Sequence, residues 1–342
     1  MKIIRCDQSH AARWNAFVHS CSTASFYHRW EWKAINEEAL GHTAVYLAAV
    51  DGEEFVGVFP VVRVKSRLFG NVSCSMPFVN YGGPATELDL AEQELLTAAS
   101  AVANEWNVEY LEIRSQRRLS ESYPHSDHKI SMTISLDRDA DALMARFKRD
   151  QRAEIRRAQK NGFSTRFGSD LIGDFYEVLS DSWRDQGTPL YNIDYLRHIL
   201  AAFPRETRVC VVYDADGRPA AGAFDGLHNG TVEGMWLGMR AEYRRQLVGY
   251  VLYWELIQHA CQLGYDRFHL GRSSRDSGSE QFKKKWNADV MQLYWHYILR
   301  TRDTIPQLNV TNRKFQLAIA AWRKLPVSVT RVIGPPIARC IP

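Results

Sequence analysis

The chain carries Phe268-His269-Leu270-Gly271-Arg272-Ser273-Ser274 and, shortly after, Gly278-Ser279-Glu280-Gln281-Phe282-Lys283-Lys284-Lys285-Trp286. A glycine, an arginine, two serines and a lysine cluster past the end of an apolar strand stand where folds that alternate strand and helix place their ligands. The chemistry open to such a set is the handling of negative charge. Amide formation, for one, needs an amine nucleophile, an activated acyl carbon and a positive group for the charge that grows on the carbonyl oxygen. The lysines supply positive groups, or they form a solvated basic turn. Arg272 is placed to grip a phosphate or carboxylate, or to pair with Asp276 or Glu280. Ser273 and Ser274 lack a Gly-x-Ser-x-Gly elbow and read as hydrogen-bond donors, not nucleophiles. His269 lies on the strand and reads as a core histidine, so no general base is assigned.

The elements that hold these residues follow from periodicity. The 342 residues, 45% apolar and 24% charged, suit a globular chain with two cores. With 43 basic against 39 acidic side chains the chain is only mildly basic, far from the charge density of a dedicated nucleic-acid binder, so an anionic partner is allowed and not required. Six scattered cysteines without a CxxC pair predict neither a zinc site nor a disulfide framework, and no metal site is expected. The charged N-terminus and the lack of a long apolar run predict a cytoplasmic protein. The first half predicts strands at 2–6, 44–50, 54–64, 71–79, 109–114 and 130–136, with helices at 11–19, 27–40 and 90–106. Asp51-Gly52 marks a hairpin. The second half predicts one helix over 140–160 stopped by Asn161-Gly162, then helices at 172–186 and 194–203. Three strands at 208–213, 219–228 and 231–237 follow, joined by Asp216-Gly217 and Asn229-Gly230 turns. A helix at 244–263, a strand at 267–270 and a last strand at 290–299 complete the pattern. The expectation is an α+β chain with a duplicated architecture: domains at 1–138 and 139–300, then a basic tail at 301–342 with a short amphipathic helix.

Two sequences carry a resemblance to a known family. Arg152-Ala153-Glu154-Ile155-Arg156-Arg157-Ala158-Gln159-Lys160-Asn161-Gly162 is similar to the R-x-N-I-R-K-A-x-K-x-G helix of the FemABX family, and Gly271-Arg272-Ser273 with Phe282-Lys283 downstream matches its site. With Tyr253-Trp254-Glu255 before the Gly-Arg-Ser loop, the chain resembles the branch associated with exopolysaccharide (PEP-CTERM) gene clusters. The resemblance covers most of residues 1–300. It implies two tandem GNAT-like domains, each a mixed, mainly antiparallel sheet flanked by helices. It also implies N-acyl transfer, in the best-known members of an amino acid from aminoacyl-tRNA to a peptidoglycan precursor. The Phe-Lys match implies that Lys283 lies near the scissile carbonyl and stabilises the oxyanion, with Arg272 anchoring an anionic group. Glu154 stands where the family helix often has asparagine. The second half has no room for the long coiled-coil arm of many tRNA-using members.

The remaining candidates concern donor and acceptor. Arg244-Arg245-Gln246-Leu247-Val248-Gly249 occupies the place of the R/Q-x-x-G-x-G/A turn of acetyl-CoA-dependent GNAT enzymes, whose helix-start N–H groups hold pyrophosphate. Only Gly249 of the glycines is present, and Arg244, Arg245, Gly249 and Ser273 are the donor-side candidates. The donor is aminoacyl-tRNA or acyl-CoA, with no tightly bound cofactor. Asn80-Tyr81-Gly82-Gly83-Pro84 predicts a flexible loop that closes on a sugar or peptide acceptor. Trp30 and Trp236 supply stacking surface or belong to the core. The segment from Arg146 to Lys160 holds seven basic and two acidic residues, as a phosphate-binding or simply a solvated face. The tail either docks on the second domain or attaches peripherally to an anionic inner-membrane surface near a lipid-linked glycan acceptor. Acyl transfer to a cell-wall or exopolysaccharide amine is the leading expectation. The alternatives are acetyl-CoA-dependent N-acetylation of a sugar or peptide amine, and a catalytically silent GNAT pair that recruits glycan machinery or binds RNA.

Overall fold

A computed structural model of the chain describes residues 1–67, 69–119, 123–306 and 313–341. From the N-terminus the elements are β1 (Lys2–Cys6), α1 (Ala11–Ser20), a single turn α2 (Trp32–Ala34), β2 (Thr43–Asp51), β3 (Glu54–Ser66), β4 (Gly70–Cys74), β5 (Ala85–Thr86), α3 (Asp89–Glu105), β6 (Tyr110–Ser115) and β7 (His125–Ser126). Next are β8 (Lys129–Ser135), α4 (Ala140–Arg146), α5 (Arg149–Gln159), β9 (Ser164–Phe167), α6 (Ile172–Gln186), α7 (Ile193–Ala202), β10 (Thr207–Tyr213), β11 (Pro219–His228) and β12 (Thr231–Met239). The chain continues through α8 (Val248–Gln262), β13 (Arg267–Ser274), α9 (Gly278–Lys284), β14 (Asp289–Gln292), β15 (Tyr294–Leu299), α10 (Arg313–Trp322) and α11 (Val327–Ala338).

These elements form two compact units. The first comprises Met1–Ile130, Gln292–Gln307 and Arg339–Pro342; the second comprises Ser131–Met291 and Leu308–Ala338. In the first, the sheet order is β1-β2-β3-β4-β6-β15-β7, with β5 on β3. The β2–β3 hairpin closes at the Asp51–Glu54 pair, and Gly52 takes φ +59°, a left-handed conformation that glycine adopts without steric penalty. Helix α3 repeats apolar residues at helical spacing, so that Leu95, Leu96, Ala99 and Val102 pack on Leu47, Phe59, Val61 and Leu111 of the sheet.

In the second unit the order is β14-β8-β13-β12-β11-β10-β9. The paired Gly222 and Gly238 admit α6 closely: a methyl group added at Gly238 would stand 3.0 Å from the Leu179 backbone, and one at Gly222 3.0 Å from the Phe175 ring. The two sheets repeat one plan. A parallel pair is joined through a long helix, α3 between β4 and β6, and α8 between β12 and β13.

The sequence reading is corrected in several places. The expected helix 27–40 is split into a turn at Phe26–His28, the single turn α2 and a widened turn at Ile35–Ala39, and the expected strand 267–270 continues to Ser274. The apolar run 290–299 forms two strands, not one. β14 joins the sheet of the second unit, Leu293 is buried, and β15 pairs antiparallel with β6 of the first. Correspondingly β8, which lies within residues 1–138, is built beside β13. Each sheet therefore takes a strand from the other half of the sequence. The expected helix 140–160 is broken between α4 and α5. Phe147 turns extended there and buries its ring edge-on to Trp254 and Trp286. The Arg152 guanidinium donates to the carbonyls of Ala145 and Phe147, which satisfies acceptors freed at the end of α4. The stop at Asn161-Gly162 holds, with Gly162 at φ +73°.

Candidate active site

The second sheet opens where the candidate residues lie. The parallel ladder joins Thr231–Glu233 to Arg267–His269, and among the described residues it goes no further. Beyond it β12 bulges at Met235, since Asp225 faces Gly234 while Phe224 already faces Trp236. Two glycines occupy the point of separation. A side chain on Gly234 would meet the His269 carbonyl at 2.8 Å, and one on Gly271 the Gly234 carbonyl at 2.9 Å. Gly271 also has φ +72°, which disfavours any other residue. Trp236, just past the bulge, packs against Tyr195 and Phe224, with ring centroids 5.8 and 5.7 Å away.

Lys283 reaches this point from α9, where it is only 4% exposed. Its Nζ donates to the carbonyl oxygens of Gly271 at 3.0 Å and Arg272 at 3.1 Å. Neither partner carries a full negative charge. Burial, and then the charge of Arg272, hold the Lys283 ammonium at a pKa of about 7, far below an ordinary lysine. The carboxylates at hand are otherwise engaged: Glu280 pairs with Lys284 at 2.7 Å and accepts the backbone N–H of Asp276. Ser273 Oγ lies 3.2 Å from Ser279 Oγ and ties β13 to the first turn of α9, while Ser277 caps that helix. Lys283 thus differs from Lys284 and Lys285, which are exposed as a solvated turn would be.

Aromatic packing aims the lysine. Phe282, its neighbour in sequence, lies 5.2 Å from both Tyr250 and Tyr253 of α8. Trp286, fully buried, stacks on Tyr253 at 5.6 Å and meets Phe147 at 5.8 Å. Phe282 lies in α9 and Trp286 in the turn just past its end, where the Trp286 backbone N–H donates to the Lys283 carbonyl at 3.0 Å, and both rings face Tyr250 and Tyr253 of α8. This clamp is a part of the site that the sequence reading missed, although the four-residue spacing of its two aromatics is a signal for it.

The donor-side candidates surround the start of α8. Arg244 and Arg245 are exposed on the turn Ala241–Gln246, and Leu247 holds a left-handed φ of +62° where the helix begins. Gly249 is half-buried, and a side chain there would crowd Met239 Sδ at 3.0 Å. Asn161 donates its amide N–H to the Gln246 carbonyl at 2.7 Å, which brings the basic helix α5 to the same turn. On α5 the side chains of Arg149, Arg156, Arg157 and Lys160 are exposed, while Gln151, Ile155 and Ala158 face inward.

The acceptor-side candidates of the first unit are held firmly. Gly82 and Gly83 donate their backbone N–H to the Arg114 carbonyl at 3.1 and 2.9 Å, and neither adopts positive φ. Asn80 donates to the Tyr27 hydroxyl at 2.9 Å, and the Tyr81 ring meets Tyr27 edge-on. Arg114 itself is buried on Glu112 at 2.8 Å and donates to the Val79 carbonyl. This turn is hydrogen-bonded and buried, where the sequence suggested a flexible loop open to an acceptor. Trp30 packs with Trp14 and Tyr46, and its ring N–H donates to Gln8.

His269 is buried in the second unit with Nδ1 2.9 Å from Glu233 and Nε2 against Ser131 Oγ. The parallel register that sets Glu233 beside His269 explains that pair, and sequence spacing does not reveal it. No group of three metal-ligating side chains occurs among the described residues.

Residues 145–284 match the family model described as an acetyltransferase (GNAT) domain, a stretch that begins beside the α4–α5 break and ends one residue past Lys283. No curated protein sequence matches the chain. Among solved structures, FemX superposes with a TM-score of 0.69 at 15% identity over 87% of this chain and 98% of its own. L-PGS from Bacillus licheniformis superposes with a TM-score of 0.55 at 14% identity, over 96% and 98%. A tandem GNAT protein from the clavulanic acid biosynthesis pathway gives 0.55 at 10% identity, over 89% and 99%. The chain is thus similar to tandem GNAT proteins over nearly its whole length, and its fold is α+β with two GNAT-like units.

Proposed function

We propose that the protein is an N-acyltransferase whose reaction centre lies at the opened end of β12 and β13. The observation that carries this reading is Lys283: a buried cation with no carboxylate of its own, fixed on two backbone carbonyls where the sheet separates. Two of the three ammonium hydrogens are spent on Gly271 and Arg272. The third is available to an oxygen of a bound acyl group. The acceptor amine attacks the acyl carbon, a carbon–nitrogen bond forms, and the carbonyl oxygen becomes an oxyanion that Lys283 stabilises. Collapse breaks the bond to the departing sulfur or oxygen, which takes up the proton lost by the amine. In a site of low dielectric a single such donor is worth about 100-fold to 1000-fold in rate.

The donor carries phosphate in either reading, as a CoA thioester or as an aminoacyl ester of tRNA. Arg244, Arg245 and the exposed cations of α5 form the surface that would meet it. The similarity of the Arg152–Gly162 and Gly271-Arg272-Ser273 segments to FemABX sequences supports an amine of a cell-wall or exopolysaccharide precursor as acceptor. Calorimetric titration with acetyl-CoA, free CoA and charged tRNA at one salt concentration tests the donor. Heat with CoA alone supports a thioester donor, and heat with charged tRNA alone supports the aminoacyl ester. Salt-sensitive binding of uncharged RNA without transfer to any amine would point to a binding module and refute the enzymatic reading.

A further inference from the structure

Helix α11 has two apolar faces. Its inward stripe of Thr330, Gly334 and Ala338 is buried, and a side chain on Gly334 would stand 3.1 Å from the backbone of Leu190. Three contacts secure this region to the second unit: Arg331 Nε on Ser180 Oγ at 2.9 Å, Arg184 on the Leu325 carbonyl at 3.0 Å, and Arg323 on the Gln186 carbonyl at 3.2 Å. Residues 323–338 therefore pack on the second unit. The face turned to solvent is nevertheless also apolar: Val329 is 39% exposed, Val332 73% and Ile333 39%, at the i, i+3, i+4 spacing of one stripe. On α10, Leu317 is 63% exposed. Side chains already anchored by a second face gain nothing for folding from this stripe, so an external apolar phase is what it suits.

The charge of the same segment selects among such phases. After Asp303 the sequence contains Arg313, Lys314, Arg323, Lys324, Arg331 and Arg339 and no acidic residue. Arg323, Lys324 and Arg339 are exposed. Residues 307–312 and 342 of the tail lie outside the described residues. No helix among the described residues is long and apolar enough to cross a membrane. We infer that α10 and α11 form a peripheral docking surface for an anionic lipid bilayer, with Val332 and Ile333 entering the headgroup boundary and the surrounding cations meeting lipid phosphates.

Vesicle co-sedimentation tests this directly, without requiring a donor or acceptor. The full chain is mixed with phosphatidylcholine vesicles, and with vesicles that also contain phosphatidylglycerol. The expected result is binding to the anionic vesicles, weakened by salt, and lowered at least about tenfold by Val332→Asp with Ile333→Asp. Lys324→Glu should lower it less, because it changes the net charge by two units, as the double aspartate variant does, but removes no apolar surface. Both variants change outward side chains, and their circular dichroism and thermal transition should match the parent. Equal binding to neutral vesicles, no binding, or binding untouched by the Val332/Ile333 variant would overturn the inference. So would concentration-dependent self-association that the same variant abolishes, since the occupant would then be a second copy of the chain.

Discussion

Replacing Lys283 with methionine should stabilise the protein at neutral pH while removing its activity. The two side chains are similar in length and flexibility, so the change mainly deletes the charge and its hydrogen bonds. The lysine pKa falls from 10.5 unfolded to about 7 folded, and at about 1.4 kcal/mol per tenfold this is a cost of roughly 5 kcal/mol for burying the cation. Below pH 7 both states carry the proton and the cost is complete. Above 7 the folded state sheds its proton, and above 10.5 the unfolded state does too, so the cost fades across that window. Methionine avoids it but gives up the two bonds to Gly271 and Arg272, about 1 kcal/mol each. The variant should therefore be more stable by about 3 kcal/mol below pH 7, equal to the parent near about pH 9, and less stable at higher pH. Because the chain has two compact units, hydrogen exchange of peptides within 267–286 between pH 6 and 10 is a better assay than a whole-chain melt. A stability difference that does not change with pH, or a parent more stable than the variant at pH 6, would refute the reasoning.

Three further outcomes are expected. The rate of acyl transfer should decline as pH rises through about 7 and the Lys283 ammonium loses its proton, and Lys283→Arg, which keeps its charge, should move that decline upward by more than one pH unit in a kcat/KM profile. Trp286→Ala should cost about 3–5 kcal/mol in denaturant unfolding of the second unit and slow transfer by loosening α9. Arg244→Glu with Arg245→Glu should change stability by less than about 0.5 kcal/mol, because both are exposed, yet weaken binding of the phosphate-bearing donor about tenfold in titration calorimetry.

Much of this architecture was legible because it is local. The Asp51-Gly52 hairpin and the three-strand run ahead of α8 each announce themselves within a few residues, and the duplicated plan follows from their order, although β13 continues through Gly271-Arg272-Ser273 where the sequence suggested a loop. Pairing between distant segments was not legible. Residues 290–299 read as one apolar strand, since nothing in them says that β14 and β15 belong to different sheets with Leu293 between them. The break at Phe147 was hidden for a related reason. The flanking residues favour helix, and the burial of one ring against Trp254 and Trp286 overrides them. At the site, composition and spacing do not say which lysine of the triplet turns inward, and only the resemblance of Phe282-Lys283 to the FemABX pair points to Lys283. The inward turn is set by the face that Phe282 of α9 and Trp286 just past it bury, and by the two carbonyls that β13 exposes where its ladder ends.

The most direct test is single-turnover transfer of a labelled acyl group, from acetyl-CoA or from aminoacyl-tRNA, to an amine acceptor by the parent protein and by Lys283→Met. A reaction centre at Lys283 predicts at least about a 100-fold loss of rate in the variant with donor binding retained. Transfer by Lys283→Met at the parent rate would contradict it and move the chemistry elsewhere in the molecule.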